Sequence, residues 1–332
     1  MVNWLITGGC GFIGLRLLRF LLGAASNHRV RVLDNLSVGT QEQLAATAEF
    51  VKVETPSQFQ DFSRGRVELL VGDILNEEIV SIATQDVDVV VHLAANTGVG
   101  PSVQDPRSDC LTNVLGTFNM LEASRHAKVK RFVFASSGAP IGEVTPPIHE
   151  ELAPHPVSPY GASKLAGEGY CSAYFRTYGL ETVALRFGNV YGPGSSHKGS
   201  VVAKFIRQAL VGETLEIYGD GGQTRDFIYV DDLVGAIHKA ATVPAIGGEV
   251  FQIATGQETT LQELTEQLLQ ELQSAGISDV TVRKSVPRLG DVLRNYSDTT
   301  KAKDRLGWKA TTSLSEGLKQ TIKYFSDEFV VE

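Results

Sequence analysis

The stretch that most constrains this chain is residues 2–14, VNWLITGGCGFIG. Val2, Trp4, Leu5 and Ile6 form the short apolar run of a buried strand, and Gly8, Gly11 and Gly14 follow three residues apart. Phe12, Ile13, Leu15, Leu17, Leu18, Leu21 and Leu22 then read as an apolar helix. A strand, a glycine turn and a helix, in that order, suit a dinucleotide pyrophosphate. Glycine lets the backbone approach the phosphates, and the N–H groups and dipole of the helix start attract negative charge. The spacing is GxxGxxG rather than GxGxxG, so the glycines alone are a weak signal. They gain strength from the next apolar segment, HRVRVLD, which ends in Asp34 about twenty residues on, where an acid can hold a ribose diol.

Apolar runs and helical stretches alternate from there. VRVLD, RVELLVGD (ending in Asp73), VDVVVHLAA (ending in Ala94 and Ala95), KRFVFASS (ending in Ser136 and Ser137) and ETVALRF read as further strands. Their nearly continuous apolar character is that of a parallel sheet covered on both faces. Small residues at Ala94 and Ala95 leave room for a cofactor at a strand end, where open parallel sheets bind ligands. Residues 37–66 are polar, with a short helix expected near 41–48. A helix is expected over 106–127, and Asn113 within it needs partners, either in a structural hydrogen bond or in a direct cofactor contact. Residues 140–159 form a proline-rich loop before a long helix that starts at SPYGASK.

Tyr160 and Lys164 begin that helix four residues apart, so they share one face. Tyrosine is a poor base at its ordinary pKa of about 10, and bringing it to about 7 requires roughly 4 kcal/mol of differential stabilisation. A lysine ammonium one turn away, together with a positively charged nicotinamide in a dry cleft, is expected to supply it. Ser137, at the end of a core strand, is placed to hold or relay the substrate proton. YxxxK occurs often by chance. Coupled to the glycine turn, Asp34 and a strand-end serine, it becomes specific.

The composition narrows the function classes. With 332 residues, 42% apolar and 20% charged, the chain can bury a large core as one α/β domain or two lobes. Its net charge of −8 argues against a nucleic-acid partner, so an anionic ligand needs arginines placed locally. Cys10, Cys110 and Cys171 form no pattern, which suits a reducing, cytoplasmic setting, and Cys10 reads as an inert small residue. The first residues already read as a strand, so no leader peptide is expected. No apolar run approaches the roughly 20 residues of a spanning helix. The histidines show no metal-ligand spacing.

Taken together, ITGGCGFIG, LDNLSVGT, GDIL, HLAA, NVLGTFNMLEA, FASS, SPYGASK, LRFGNVYGPG, GDGGQTRDFIYVDDL and the RLGD…SDTTKA…LGW tail resemble the extended short-chain dehydrogenase/reductases. Within that superfamily they are similar to the NAD-dependent nucleotide-sugar epimerases and dehydratases, and the match runs nearly end to end. The resemblance implies a Rossmann-type doubly wound parallel sheet over residues 1–192. A smaller α/β C-terminal substrate lobe would lie mainly within 193–332, with chain crossings between lobes. It implies that Gly8, Gly11, Phe12, Ile13 and Gly14 cradle the NAD pyrophosphate, and that Asp34 and Asn35 hold the adenosine ribose. Asp73 and Ile74 would flank the adenine, Ala94, Ala95 and Asn113 would line the cofactor site, and Lys164 would also hold the nicotinamide ribose. Ser137, Tyr160 and Lys164 match the catalytic triad.

For a UDP-sugar, the resemblance implies diphosphate contacts from Asn189, Arg225 and Arg288 and a ribose contact from Asp291. Paired arginines suit a pyrophosphate in an acidic protein. Related dehydratases carry an Asp–Glu pair directly after the triad hydroxyl, and decarboxylases a glutamate; Gly138 and Ala139 stand here instead. The reaction implied is therefore 4-epimerisation of a UDP-hexose. Tyr160 would take the 4-hydroxyl proton, C4 would pass hydride to NAD, the flat 4-keto sugar would turn, and hydride would return to its other face. Two departures bear on the substrate. The usual Val-Tyr-Gly after the serine strand is Pro140-Ile141-Gly142, which is expected to change the wall beside the sugar. Asn295 replaces the bulky tyrosine of strict glucose/galactose enzymes, which implies room for a substituent at C2. The alternatives are a dehydratase, a decarboxylase, a 4-ketoreductase or a non-catalytic NAD-binding regulator; regulators of that kind typically lack the tyrosine or the lysine. A homodimer paired through the helices near 106–127 and 159–178 is expected, with no membrane contact.

Overall fold

The apolar runs become strands, as the sequence pattern requires. In the computed structural model, which describes residues 2–24, 28–53, 66–286 and 293–329, the strands run in chain order. They are β1 (Val2–Thr7), β2 (His28–Asp34), β3 (Val51–Val53), β4 (Val67–Val71), β5 (Val89–His92), β6 (Arg131–Ser137) and β7 (Thr182–Phe187), then β8 (Asn189–Tyr191), β9 (Leu215–Tyr218), β10 (Thr224–Arg225), β11 (Phe227–Tyr229), β12 (Glu249–Ile253), β13 (Thr259–Thr260) and β14 (Val282–Ser285). Eight of them form one sheet in the order β12-β7-β6-β5-β1-β2-β4-β3. β1 pairs in parallel with β2 and β5, β2 and β3 pair with β4, and β5 pairs with β6. The order reverses direction at β1, the switch point that defines a Rossmann-type doubly wound fold.

The helices are α1 (Phe12–Ala24), α2 (Gln41–Ala45), α3 (Glu77–Ala83), α4 (Val99–Gln104), α5 (Pro106–Cys110), α6 (Gly116–His126), α7 (Pro159–Tyr178), α8 (Val201–Leu210), α9 (Val230–Thr242), α10 (Leu261–Ser274) and α11 (Leu314–Phe329). The stretch expected as one helix over 106–127 is α5, a π-helical turn at Leu111–Leu115, and α6. That break was illegible because a single widened turn hardly disturbs helical periodicity. β3 was also not anticipated, since three residues are too few to show a period. The long helix α7 begins with Ser158 accepting from Gly161 N–H and Pro159 in the first turn, and it ends at left-handed Gly179.

The chain clusters into two compact units: residues 1–143, 150–186 and 234–251 form the first, and 144–149, 187–233 and 252–332 the second. The core of the first gathers Leu5, Leu33, Val90, Met120, Leu121, Phe132 and Phe134, all fully or almost fully buried. Two charged residues interrupt its apolar strands. Arg31 on β2 and Glu68 on β4 pair at 3.1 Å while 1% and 3% exposed, and Arg31 also donates to the carbonyls of Ala83 and Gln85. Burial of a charge is tolerated because the partners are complete. The second unit carries short strand pairs, β8 with β11 and β9 with β14 in parallel, and β10 with β13 antiparallel. Its α10 starts with a reciprocal cap between Thr260 and Glu263. Among the described residues no helix is long and apolar enough to cross a membrane, and no cluster of potential metal ligands occurs.

Candidate active site

The glycine turn is built by close approach. Gly8 has φ +67, and a Cβ there would lie 2.8 Å from Ala94 N; one at Gly14 would lie 2.6 Å from Gly8 O. At Gly11 the nearest atom to a Cβ is Gly8 O, at 3.3 Å. α1 begins at Phe12, and its first i→i−4 bond runs from Leu15 to Gly11. The N–H groups of the first turn therefore have no carbonyl within the helix. Asp34, 8% exposed, accepts Cys10 N–H on one oxygen and Leu36 N–H on the other. It thus ties the turn to the end of β2 as well as standing where a ribose acid is expected. Cys10 is fully buried, and burial pushes its thiol up to about 12, with Asp34 adding to the rise, so it is an unreactive small residue. Gly39 was missed by sequence reasoning: a Cβ there would fall on the Cys10 carbonyl, so it lets the loop after β2 close over the turn. The SVGT signal was present but carried no spacing to interpret.

Asn35 Nδ2 donates to Asp73 at 2.8 Å, joining the ends of β2 and β4. Ile74 is 5% exposed, and its side chain lies where a Cβ on Gly116 would sit. Ala94 and Ala95 follow β5, and Ala94 N–H donates to Thr7 Oγ1. His92 bridges Thr7 Oγ1 at 2.7 Å and Thr117 Oγ1 at 3.1 Å. Burial, with the Lys164 charge, takes its pKa down to about 3, so it is a neutral strut. Asn113, in the π turn, is 1% exposed. It accepts Asn96 N–H and donates to Asn96 O, Asp109 and Ser163, which accounts for its amide by structural bonds.

The structure brings Ser137, Tyr160 and Lys164 together. α7 lies tight against β6: a Cβ at Gly167 would strike the Phe134 ring, and one at Gly161 would lie 2.6 Å from Ala139 O. The Ser137 side chain stands beside the Tyr160 hydroxyl and favours its ionised form. Lys164, 3% exposed, donates from Nζ to Ala135 O at 2.9 Å and lies 5.9 Å from the Tyr160 ring centroid. Burial pushes the Tyr160 phenol up to about 12, opposed by the Ser137 side chain and reinforced by the Asp109 charge. The expected lowering rests on the lysine together with a nicotinamide cation; in the protein by itself the phenol stays high. Burial also lowers Lys164 to about 8, against the charges of Asp109, Cys171 and Glu168. Glu168, beneath this pair, was missed. It accepts Ser136 Oγ–H and a two-point bond from Arg186 at 2.8 and 2.7 Å, all within the core. Pro140 and Ile141 are both buried, while Gly138 and Ala139 are partly accessible after Ser137.

The second unit holds a cavity of about 210 Å³ lined by Asn189, Lys204, Glu216, Tyr218, Gln223 and Arg225, among others. Lys204 Nζ lies 5.6 Å from the Tyr218 ring centroid, and Gln223 fixes Tyr218 O at 2.7 Å. Arg225 donates to Thr224 O. Glu216 is already engaged by Ser285, Tyr218 and Arg283, which together draw its carboxyl down to about 2. Asp226 is fully buried and anchors the strand. It accepts from the N–H groups of Thr255, Gly256 and Ser297 and from Thr255 Oγ1. Asn295 N–H donates to Thr224 Oγ1, close in sequence to Arg225. Arg288 and Asp291 lie outside the described residues.

A glycine cradle at the switch point of a doubly wound sheet, with serine, tyrosine and lysine at the end of β6, defines a dinucleotide-dependent enzyme of the short-chain dehydrogenase/reductase kind. The chain belongs to the NAD-dependent epimerase/dehydratase family, whose model matches residues 4–254. It is 37% identical over 329 residues to the UDP-glucose 4-epimerase of Mycolicibacterium smegmatis, covering 98% of each chain. Its structure is similar to that of the UDP-glucose 4-epimerase from Thermotoga maritima with UDP-glucose, at a TM-score of 0.86 and 37% identity over 99% of this chain and 100% of that one. It is also similar to the UDP-glucuronic acid 4-epimerase from Bacillus cereus in complex with UDP-glucuronic acid and NAD, at 0.84 and 31% over 98% and 100%. The cofactor is NAD, and the turn fits it: Gly8 and Gly14 leave no room for a side chain, and at Gly11 an added Cβ would meet only Gly8 O.

Proposed function

We propose that the protein interconverts UDP-hexoses at C4, with UDP-glucose and UDP-galactose as the expected pair. The observation that carries this reading is the Ser137–Tyr160–Lys164 cluster with Gly138 and Ala139 beside it, where elimination of water would need an acid. Glycines 8, 11 and 14, the start of α1, Asp34 and Asn35 would hold NAD, which supplies reversible oxidation of the sugar carbinol. Asp73, Ile74, Ala94, Ala95 and Asn113 would border it. Tyr160 Oη would take the 4-hydroxyl proton, directly or through Ser137 Oγ, and return it at the end of the cycle. Lys164 Nζ would hold positive charge beneath the phenol.

Asn189, Lys204 and Arg225 would anchor the diphosphate, with Arg288 and Asp291 as further contacts. Arg225→Ala is expected to raise KM for the UDP-sugar about 10- to 100-fold with a smaller effect on kcat, the loss of a charged hydrogen bond. Steady-state kinetics at constant ionic strength checks this.

The reading is tested by incubating the purified protein with UDP-glucose, UDP-galactose, UDP-N-acetylglucosamine and UDP-glucuronate, adding no cofactor and following products by NMR. Interconversion at C4 is expected, including that of the N-acetylated sugar, because Asn295 is small. CO2 release or a stable keto product would identify a decarboxylase or dehydratase, and net NAD(P)H consumption in a parallel incubation with added NAD(P)H would identify a reductase. Bound NAD without turnover would identify a regulator. The free state of Cys10, Cys110 and Cys171 supports a cytoplasmic protein. Exposed Val99, Val103, Leu115 and Tyr170 on or beside α4–α7 support self-pairing as a dimer, which light scattering measures.

A further inference from the structure

Asp109 is a buried carboxylate that the reaction above does not use. It lies on α5 and is 1% exposed. Among the described residues its side chain accepts one hydrogen bond, from Asn113 Nδ2 at 2.8 Å, and has no contact ion pair. An ionised carboxylate removed from water is costly unless charge of the other sign compensates it. α5 packs against α7, where Lys164 is equally buried and has only a carbonyl, Ala135 O, as its hydrogen-bond partner. The two sites are also joined through bonds: Asn113 Nδ2 donates to Ser163 Oγ at 3.1 Å, and Ser163 Oγ–H donates to Tyr160 O at 3.1 Å.

We propose, building on the reading of Tyr160 as the base, that Asp109 is the counter-charge of the buried Tyr160–Lys164 pair: a positioning residue that fixes the pH window of the reaction.

The other titratable groups around Lys164 are already neutral or committed. Glu168, one turn along α7, is held by Arg186 through two bonds. The Cys171 thiol, also on α7, is pushed up by burial and stays protonated. His92, on β5, stays neutral. β6 contributes the Ala135 carbonyl and the Phe134 ring, 5.0 Å from Nζ. Asp109 is the remaining carboxyl group. Its charge favours the lysine ammonium and disfavours the tyrosine phenolate, so it raises both pKa values.

The sign of the test follows. Asp109→Asn keeps the shape and an acceptor for Asn113 but removes the charge, so both groups should lose their protons at lower pH. In the NAD-loaded enzyme, where a nicotinamide cation would draw the phenol below the lysine, the acidic limb of the kcat profile, set by Tyr160, and the alkaline limb, set by Lys164, are both expected to move down by about one pH unit. Tyr160 in protein carrying ring-¹³C tyrosine should titrate correspondingly lower by NMR, its resonance assigned by loss in Tyr160→Phe. Asp109→Glu, which keeps the charge, should restore the wild-type limbs. A purely structural Asp109 would give lower kcat or thermal stability with both limbs unmoved, which overturns the proposal. Where Asp109→Asn does not fold, Asp109→Glu carries the test, and displaced limbs in that variant overturn it. An active Tyr160→Phe enzyme would instead overturn the assignment of the base, a distinct result.

Discussion

Tyr160→Phe is expected to lower kcat for UDP-galactose conversion about a thousand-fold while leaving KM within a factor of three. The substitution removes one oxygen from a ring whose place is set by α7 and the close approach of Gly161 to Ala139. On the proposed mechanism it removes the proton acceptor of the transition state, and general-base steps of this kind contribute roughly 10²–10⁴-fold. Binding of the nucleotide end depends on other residues, so kcat and kcat/KM should fall together. Because burial holds the phenol high, the wild-type rate should climb with pH until Tyr160 is ionised or Lys164 loses its proton, and the residual rate of the variant should lack that climb. Kinetics across pH, with bound NAD quantified in each preparation, measures both. Retention of more than a tenth of the wild-type kcat would remove Tyr160 from its role.

The second large effect concerns the cradle. Gly11→Val should fold but fail to retain NAD, whereas Gly14→Ala should fail to fold. At Gly14 the added carbon meets backbone at 2.6 Å on two sides, and backbone cannot step aside. At Gly11 the added carbon has only Gly8 O near it, at 3.3 Å, so on the proposed reading the valine would project into the space of the pyrophosphate. Losing two charged hydrogen bonds there amounts to about 3–6 kcal/mol, or roughly a 10²–10⁴-fold weaker affinity for NAD. Circular dichroism separates folding from binding, and nucleotide released on denaturation reports occupancy. A Gly11→Val protein that keeps stoichiometric NAD would show that the pyrophosphate lies elsewhere.

Much of this was legible because it is local. The glycine spacing, the run into Asp34, the strand-end alanines and serine, and the four-residue step from Tyr160 to Lys164 are each set within a few residues of chain. The second tasks of those residues were not. That Asp34 also clamps Cys10 N–H depends on β1 and β2 lying side by side. Asn113 could be read as needing partners, yet its partners, Asn96, Asp109 and Ser163, come from three separate segments. Pro140 and Ile141 were read as changing the wall beside the sugar because they depart from the family pattern; their burial is a tertiary fact that the local sequence could not show. Glu168 and Asp109 look in the sequence like ordinary helix-surface acids, and only tertiary packing removes them from water.

The path of the chain between its units limits how such a protein can be divided. β12, which borders β7 in the large sheet, is made by residues 249–253, after most of the cationic cavity has been laid down. A fragment ending at residue 192 would expose the flank of β7 and lose the segment 234–251 that completes the first unit. Exchange of whole C-terminal segments between relatives would therefore carry part of the dinucleotide-binding scaffold with it. New sugar preferences in such a lineage are expected to arise by point changes among cavity residues rather than by recombination at a single seam.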